Sequence, residues 1–287
     1  MRIHLNNMYR PITAAPFRKN SAYTEIEPCG LLRPYIRCFW GTPAPIDAGT
    51  PLHDCGLVVP DTCMDIIFHI NYTENCADGI FCALDDRSCL LPEGGISPVK
   101  TSVFGIRFYA WTASLFTETP LNGSKNGRFP VDAFFPELKK QLVPMLFETE
   151  SLTEKVHAAE GILLKNIHTG LSDPDLMNGI YHMIASNGTS KMKDLTSCTG
   201  VSERKLERLF DRYTGISPKT MCGLIRYQLL WQDILFDGRF DPSDAVEKYG
   251  YFDQAHMLND FKRRHMMSPR EAVSMANEFA CEQVTCK

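Results

Sequence analysis

The sequence predicts an α+β protein: a β-rich N-terminal half, a helical hairpin, and an all-α C-terminal half built on two helix-turn-helix motifs. Three observations predict it. Short β-branched and aromatic runs separated by turn clusters fill the N-terminal half. Helix caps and periodic apolar positions take over after Pro136. Near the C-terminus, the stretch from Phe210 to Lys219 recurs 51 residues later, from Phe261 to Arg270. Each copy follows a short helix, a turn glycine (Gly200, Gly250) and a second helix, a device that sets two helices in successive major grooves of DNA. A length of 287 residues favours two domains, each burying its own core. The expected divisions are 1–135 for the β-rich part, 136–170 for the hairpin and 171–287 for the DNA-binding part.

Residues 1 to 30 read as an irregular lead-in containing several prolines. Ile66 to Ile70, Gly79 to Leu84 and Val103 to Phe108 are strand-like, with turn clusters at Asn71 to Asn75 and Pro92 to Gly95, a spacing that suits a barrel or sandwich. Glu137 to Phe147 can form one helix, interrupted or not at Pro144. Ser151-Leu152-Thr153-Glu154 is a capping box, and Leu152, Val156, Ala159, Leu163 and Ile167 lie on one face behind it. This hairpin suits either a dimer contact or packing against the β-rich part.

Asp173-Pro174 opens the C-terminal half as a cap followed by proline, with Leu176, Ile180, Met183 and Ile184 as its buried stripe. Lys191 to Cys198 is the first helix of the first motif, Gly200 the turn, and Ser202 the cap of the reading helix. On that helix Arg204, Lys205, Arg208 and Arg212 fall within about 100° of arc. Leu206, Leu209, Phe210 and Tyr213 take the next sector, and Glu203, Glu207 and Asp211 the third. Like charges four apart repel by roughly 0.2–0.5 kcal/mol per pair, a penalty that phosphates and guanine edges turn into affinity.

Ser217-Pro218 starts a helix of near 20 residues, roughly 30 Å long and so close to one turn of B-DNA. It carries Leu224, Ile225, Leu229, Ile234 and Leu235 inward and Arg226 as a structural anchor. The second motif opens at Asp241-Pro242, turns at Gly250 and is capped by Asp253. Met257, Leu258 and Phe261 are expected inside. Gln254, Ala255, His256, Asn259, Lys262 and Arg263 are expected outside, with Asn and Gln suited to adenine.

Net charge is −4, and the two halves carry −3 (1–171) and −1 (172–287), so DNA contact must come from local charge and not bulk attraction. No apolar run approaches the about 18 residues that span a bilayer, and no signal-peptide core is present, which predicts a cytoplasmic protein. The 11 cysteines show no Cys-x-x-Cys pair and read as small apolar side chains. No hydrolase triad or phosphate loop is found, and neither catalytic residue, metal nor cofactor is predicted.

At these residues the C-terminal half resembles the AraC/XylS family of transcriptional regulators, over about Asp173 to Val273. The resemblance rests on the two turn glycines, Ser202-x3-Leu206-x-Arg208-x-Phe210, Gly215-x-Ser217-Pro218, Arg226 and Phe261-Lys262-x5-Ser268-Pro269. It implies base-reading positions at Arg204, Glu207 and Arg208, and at Gln254, Ala255, His256 and Asn259; the helix faces themselves add Ser202, Lys205, Arg212, Lys262 and Arg263 to the expected DNA-binding set. Thr196 and Val246 stand where the family usually has a small residue. Met266 stands where it often has glycine, and Asn259 where it often has arginine.

The N-terminal half resembles the cupin-like effector domains attached to this family, through Leu32-x-Pro34-Tyr35-Ile36-x-Cys38-Phe39-Trp40, Val59-Pro60-Asp61-x3-Asp65-Ile66-Ile67-Phe68 and Phe104-Gly105-Ile106-x-Phe108. It implies a small-molecule effector inside a barrel, among Trp40, Phe68, Phe104, Phe108, Tyr109 and Trp111 with Arg107 or His69 as polar anchor. Double-stranded DNA is the expected partner, with RNA polymerase and a second copy of the chain as further ones. The competing class is a cupin-type metalloenzyme, or a metal or thiol sensor, using His53, Asp54, Cys55, Cys63 and His69.

Overall fold

The computed structural model describes residues 5–13, 23–50, 56–91, 95–237 and 240–281. The N-terminal part contains eight described strands: β1 (Thr24–Ile26), β2 (Ile36–Gly41), β3 (Gly56–Val58), β4 (Cys63–Asn71), β5 (Cys76–Cys82), β6 (Cys89–Leu91), β7 (Thr101–Tyr109) and β8 (Arg128–Pro130). Six make one antiparallel sheet in the order β1-β2-β7-β4-β5-β8, while β3 and β6 form a separate pair. The expected barrel does not close. Both edge strands of the large sheet are three residues long, too short to meet and pair around a cylinder.

Alternation along β4 and β7 gives this sheet two unlike faces. Met64, Ile66, Phe68 and Ile70 of β4, with Phe104, Ile106 and Phe108 of β7, are fully buried on one face. The hairpin covers that face: α1 (Pro136–Glu148) runs through Pro144 unbroken, and α2 (Leu152–Asn166) starts at the predicted capping box. Leu138, Leu142, Leu146, Val156, Ala159 and Leu163 join the same core, so the apolar stripes of the hairpin are spent on the sheet. The other face carries Cys63, Asp65 and Arg107.

The C-terminal half is helical: α3 (Pro174–Ala185), α4 (Met192–Thr199), α5 (Glu203–Thr214), α6 (Pro218–Phe236), α7 (Pro242–Lys248), α8 (Gln254–His265) and α9 (Pro269–Cys281). Asp173, Ser202, Ser217, Asp241 and Asp253 all cap as expected. Gly200 ends α4 at φ 70°, a left-handed conformation that a β-carbon would penalise. The first motif packs into the core that also lines the sheet, whereas the second gathers its own around Tyr227, Trp231, Tyr249, Met257 and Phe261.

The lead-in is not loose throughout. Ile12 is buried in that second core, and its amide donates to Gln228 Oε1 at 2.9 Å. Gln228, fully buried on α6, donates in turn to the carbonyl of Pro60 at 2.5 Å. Residues 5–13 are thus held between the sheet and α6.

Candidate functional site

Two features bear on function: the outward faces of α5 and α8, and a cavity between the sheet and the second motif.

On α5 the three-sector pattern is realised. Leu206, Leu209 and Phe210 are buried, while Arg204, Glu207, Arg208 and Arg212 are exposed. Among the described residues none of these three arginines has an ion pair, so their donors face solvent. Ser202, Arg204, Lys205, Glu207, Arg208 and Asp211 line one open groove. Lys205, in the same groove, also pairs with the body of the domain, its Nζ lying 2.6 Å from Asp175 Oδ2 on α3.

On α8, Gln254, Ala255, His256, Asn259, Lys262 and Arg263 are exposed, as expected. Leu258 is not inside; it is 44% exposed because Met257 and Phe261 already fill the inward face. Arg263 is exposed, and its Nη2 donates to Asp260 Oδ1 at 2.5 Å. Gln254 donates to Ser243 at 3.1 Å, and His256 Nδ1 accepts from the Phe252 amide at 3.3 Å. Asp260 also receives Tyr251 and faces Arg226 and Arg264. Burial opposes its ionisation, but Arg264, Arg263 and Arg226 outweigh that and hold the carboxyl below its ordinary range. Arg226, stacked 4.3 Å over the Tyr251 ring, is the structural anchor predicted.

Helices α5 and α8 are fastened to the N-terminal part at their far ends. The Leu121 amide donates to the carbonyl of Arg212 at 2.8 Å, and Asn122 Nδ2 donates to Asp211 at 2.6 Å. The amide and hydroxyl of Ser88 both donate to the carbonyl of Arg264, at 2.7 and 2.8 Å. Asn126 and Asp86 exchange two hydrogen bonds, tying the loops that make these contacts together.

The cavity measures about 250 Å³. One wall is the polar face of the sheet; another is Trp231 of α6, His265 of α8 and Ala272, Met275 and Ala276 of α9. Asp65 and Arg107 stand in register on β4 and β7, and Arg107 Nε donates to both Asp65 oxygens at 2.9 and 3.2 Å. Trp40 Nε1 donates to Asp65 Oδ1 at 2.7 Å. The Trp40 indole can lie across β7 because position 105 is glycine: a β-carbon there would sit 2.2 Å from the ring. Asp61 Oδ2 lies 3.4 Å from Arg107 Nη1. Burial pushes the Asp61 carboxyl up to about 6 against the pull of Arg107. Arg128 and Asp85 form a second, two-pronged pair at the rim.

Of the predicted effector residues, Trp40 and Arg107 line this cavity. Phe68, Phe104 and Phe108 do not: they are on the opposite face of the sheet, wholly buried in the core. Tyr109 and Trp111 are buried and stacked on each other at 5.3 Å, outside the lining. His69 shares the parity of Asp65 but lies beyond the cavity and is exposed. Sequence reasoning missed Asp61, Asp65 and Tyr23, and every contribution from α6, α8 and α9. Adjacent alternation would have separated Arg107 from Phe104 and Phe108; the C-terminal wall left no local signal.

For the metal or thiol alternative, His53, Asp54 and Cys55 lie outside the described residues. Among the described residues no cluster of ligand side chains could hold a metal ion. Burial pushes the Cys63 and Cys38 thiols well above their ordinary range, the reverse of what an activated thiolate needs. No described helix is long and apolar enough to cross a membrane.

Comparison with known proteins agrees with this division of labour in the C-terminal half. Residues 195–274 match the model of a helix-turn-helix domain, and residues 24–130 match a domain of unknown function, DUF6597. No curated protein matches the chain in sequence. Among solved structures, ToxT from Vibrio cholerae is similar at 14% identity over 83% of this chain and 98% of that one, with a TM-score of 0.41. ToxT bound to an unsaturated fatty acid, from strain SCE256 of the same organism, is 11% identical over 90% of this chain and 97% of that one, with a TM-score of 0.38.

Proposed function

Starting from an AraC-type helix-turn-helix domain over residues 195–274, we propose that the protein is a sequence-specific, DNA-binding transcription regulator that responds to a small-molecule effector. The observation that carries it is the exposed row Arg204, Arg208 and Arg212 on a helix fixed by Gly200 and the Ser202 cap. Three unpaired guanidinium groups on one helix face suit phosphates and guanine edges, and Arg is the side chain that reads guanine with two bonds. On α8 the exposed Asn259, Ala255 and Lys262 supply a less basic face, expected to add phosphate contacts and modest base preference.

The effector would occupy the cavity, not a barrel interior. The cavity is concave, mainly apolar and supplied with a few convergent polar groups, as ligand sites are. Its walls belong to both halves of the chain, so a ligand there changes contacts of α6, α8 and α9 directly. Association with RNA polymerase and with a second copy of the chain belongs to the same proposal.

Footprinting on duplexes selected from a random pool tests it: protection should span about two helical turns, one for each motif. Protection confined to one turn, or none at salt near physiological, would overturn the two-motif mode of binding.

A further inference from the structure

The cavity described above constrains the charge of what it binds. We infer that its ligand is a small uncharged molecule with an apolar body and a carbonyl-type oxygen (amide, ketone or ester) that accepts from Arg107. This rests on the effector reading of the cavity and specifies its chemistry.

The first support is an unspent donor. Arg107 is 7% exposed, yet both of its hydrogen bonds leave from Nε. Nη1 is enclosed 3.4 Å from Asp61 Oδ2, and among the described residues Nη2 makes no hydrogen bond, which leaves Nη2 as the donor open to a ligand. A guanidinium in the wall of a cavity with terminal donors left over calls for an acceptor, because a buried donor without one is costly.

The second support is the charge already present. Asp61, Asp65 and Asp85 line the cavity with Arg107 and Arg128. Every arginine is therefore matched by carboxylate, and the set stands one negative charge over when fully ionised. A carboxylate ligand would add a second negative charge beside Asp61 and Asp65 in a poorly solvated site. A cationic ligand would meet the guanidinium it has to contact. Asp65 Oδ1 already accepts from Trp40 and Arg107, so an ammonium group would have to turn to Asp61 and leave the Arg107 donors unmet. An uncharged acceptor meets neither obstacle.

The third support is size and lining. A cavity of about 250 Å³ has room for a one- or two-ring molecule. Tyr23 and Trp40, with ring centroids 5.6 Å apart, and Ile67, Trp231 and Met275 give the apolar body its surface.

The test is thermal unfolding of the full chain with three matched series: indole-3-acetamide, indole-3-acetate and tryptamine; phenylacetamide, phenylacetate and phenethylamine; hexanamide, hexanoate and hexylamine. At least one amide should raise Tm by about 4–5 °C at a hundredfold its Kd, with its acid and amine binding at least tenfold more weakly. Asp61→Asn, which removes one negative charge, should improve the matching acid at least tenfold. Ala276→Trp, which fills the cavity from α9, should abolish the shift. An acid or amine that binds the unaltered protein as well as its amide, or silence from all three series, overturns the assignment. Footprinting on the selected duplexes separates the two levels: protected DNA with an acid in the cavity sinks only the ligand class. An amide in the cavity with no protected DNA sinks only the regulator.

Discussion

Arg107 Nε meets Asp65 Oδ1 at 2.9 Å across two strands paired in register, in a face of the sheet that water scarcely reaches. An ion pair so placed contributes little net stability but is costly to halve, since either partner alone is a desolvated charge. Asp65→Ala should cost about 3 kcal/mol or more in urea unfolding. Asp61 remains to compensate Arg107 in part, so a loss under 1 kcal/mol would show that Asp61 and not Asp65 carries the pairing.

His265 supplies a pH dependence. Burial lowers it from its ordinary 6.5 to about 4, with the ring stacked on Phe261 at 4.8 Å and sharing a hydrogen bond with Tyr227 at 2.7 Å. A depressed histidine is neutral in the folded chain where the unfolded chain already takes up a proton. Its contribution is therefore complete above pH 6.5 and is lost as pH falls toward 4. Across that window the protein should lose about 3 kcal/mol that His265→Gln retains, measured by denaturant unfolding at stepped pH. Asp61 works with the opposite sign: raised to about 6, it favours the folded chain as pH falls from there toward its ordinary 3.8, so the effect of His265 shows only in the difference between the two proteins.

Arg208→Ala should weaken specific DNA binding by roughly 1–3 kcal/mol and relax preference at one operator position more than at others. Titrations on the selected duplex and on single-base variants measure this. A uniform loss on every duplex, with a shallower salt dependence, would make the residue a phosphate contact.

Met266 ends α8 at φ 70°, the conformation Gly215 adopts after α5. A side chain in the left-handed region costs roughly 1–2 kcal/mol, partly offset by the extra freedom glycine has when unfolded. Met266→Gly should therefore stabilise the chain by roughly 0.5–1 kcal/mol, seen as a higher denaturation midpoint at unchanged slope. Met266 is half exposed, so no core packing is lost with it.

Features decided within a few residues were legible in the sequence. Ser202, Asp241 and Asp253 announce their helices because a cap bonds to amides two or three positions on. The arginine face of α5 follows from helical periodicity alone. The cavity was not legible in the same way. Arg107 finds Asp65 42 residues away, and His265 arrives from the far end of the chain. Grouping Phe104 and Phe108 with Arg107 ignored the strand alternation that turns them to opposite faces. Leu258 shows the complementary error: an apolar residue at a nearly inward position stays outside once larger neighbours have filled the interior. Closure of the sheet depended on the lengths of β1 and β8, which composition does not register.

The paired loops joined by Asn126 and Asp86 touch the last turn of α5 on one side and of α8 on the other. The mutual placement of α5 and α8 is consequently not the property of the C-terminal helices alone. On the proposed DNA-binding reading, inserting a single residue between Leu121 and Asn126 should shift the distance at which two half-sites are preferred.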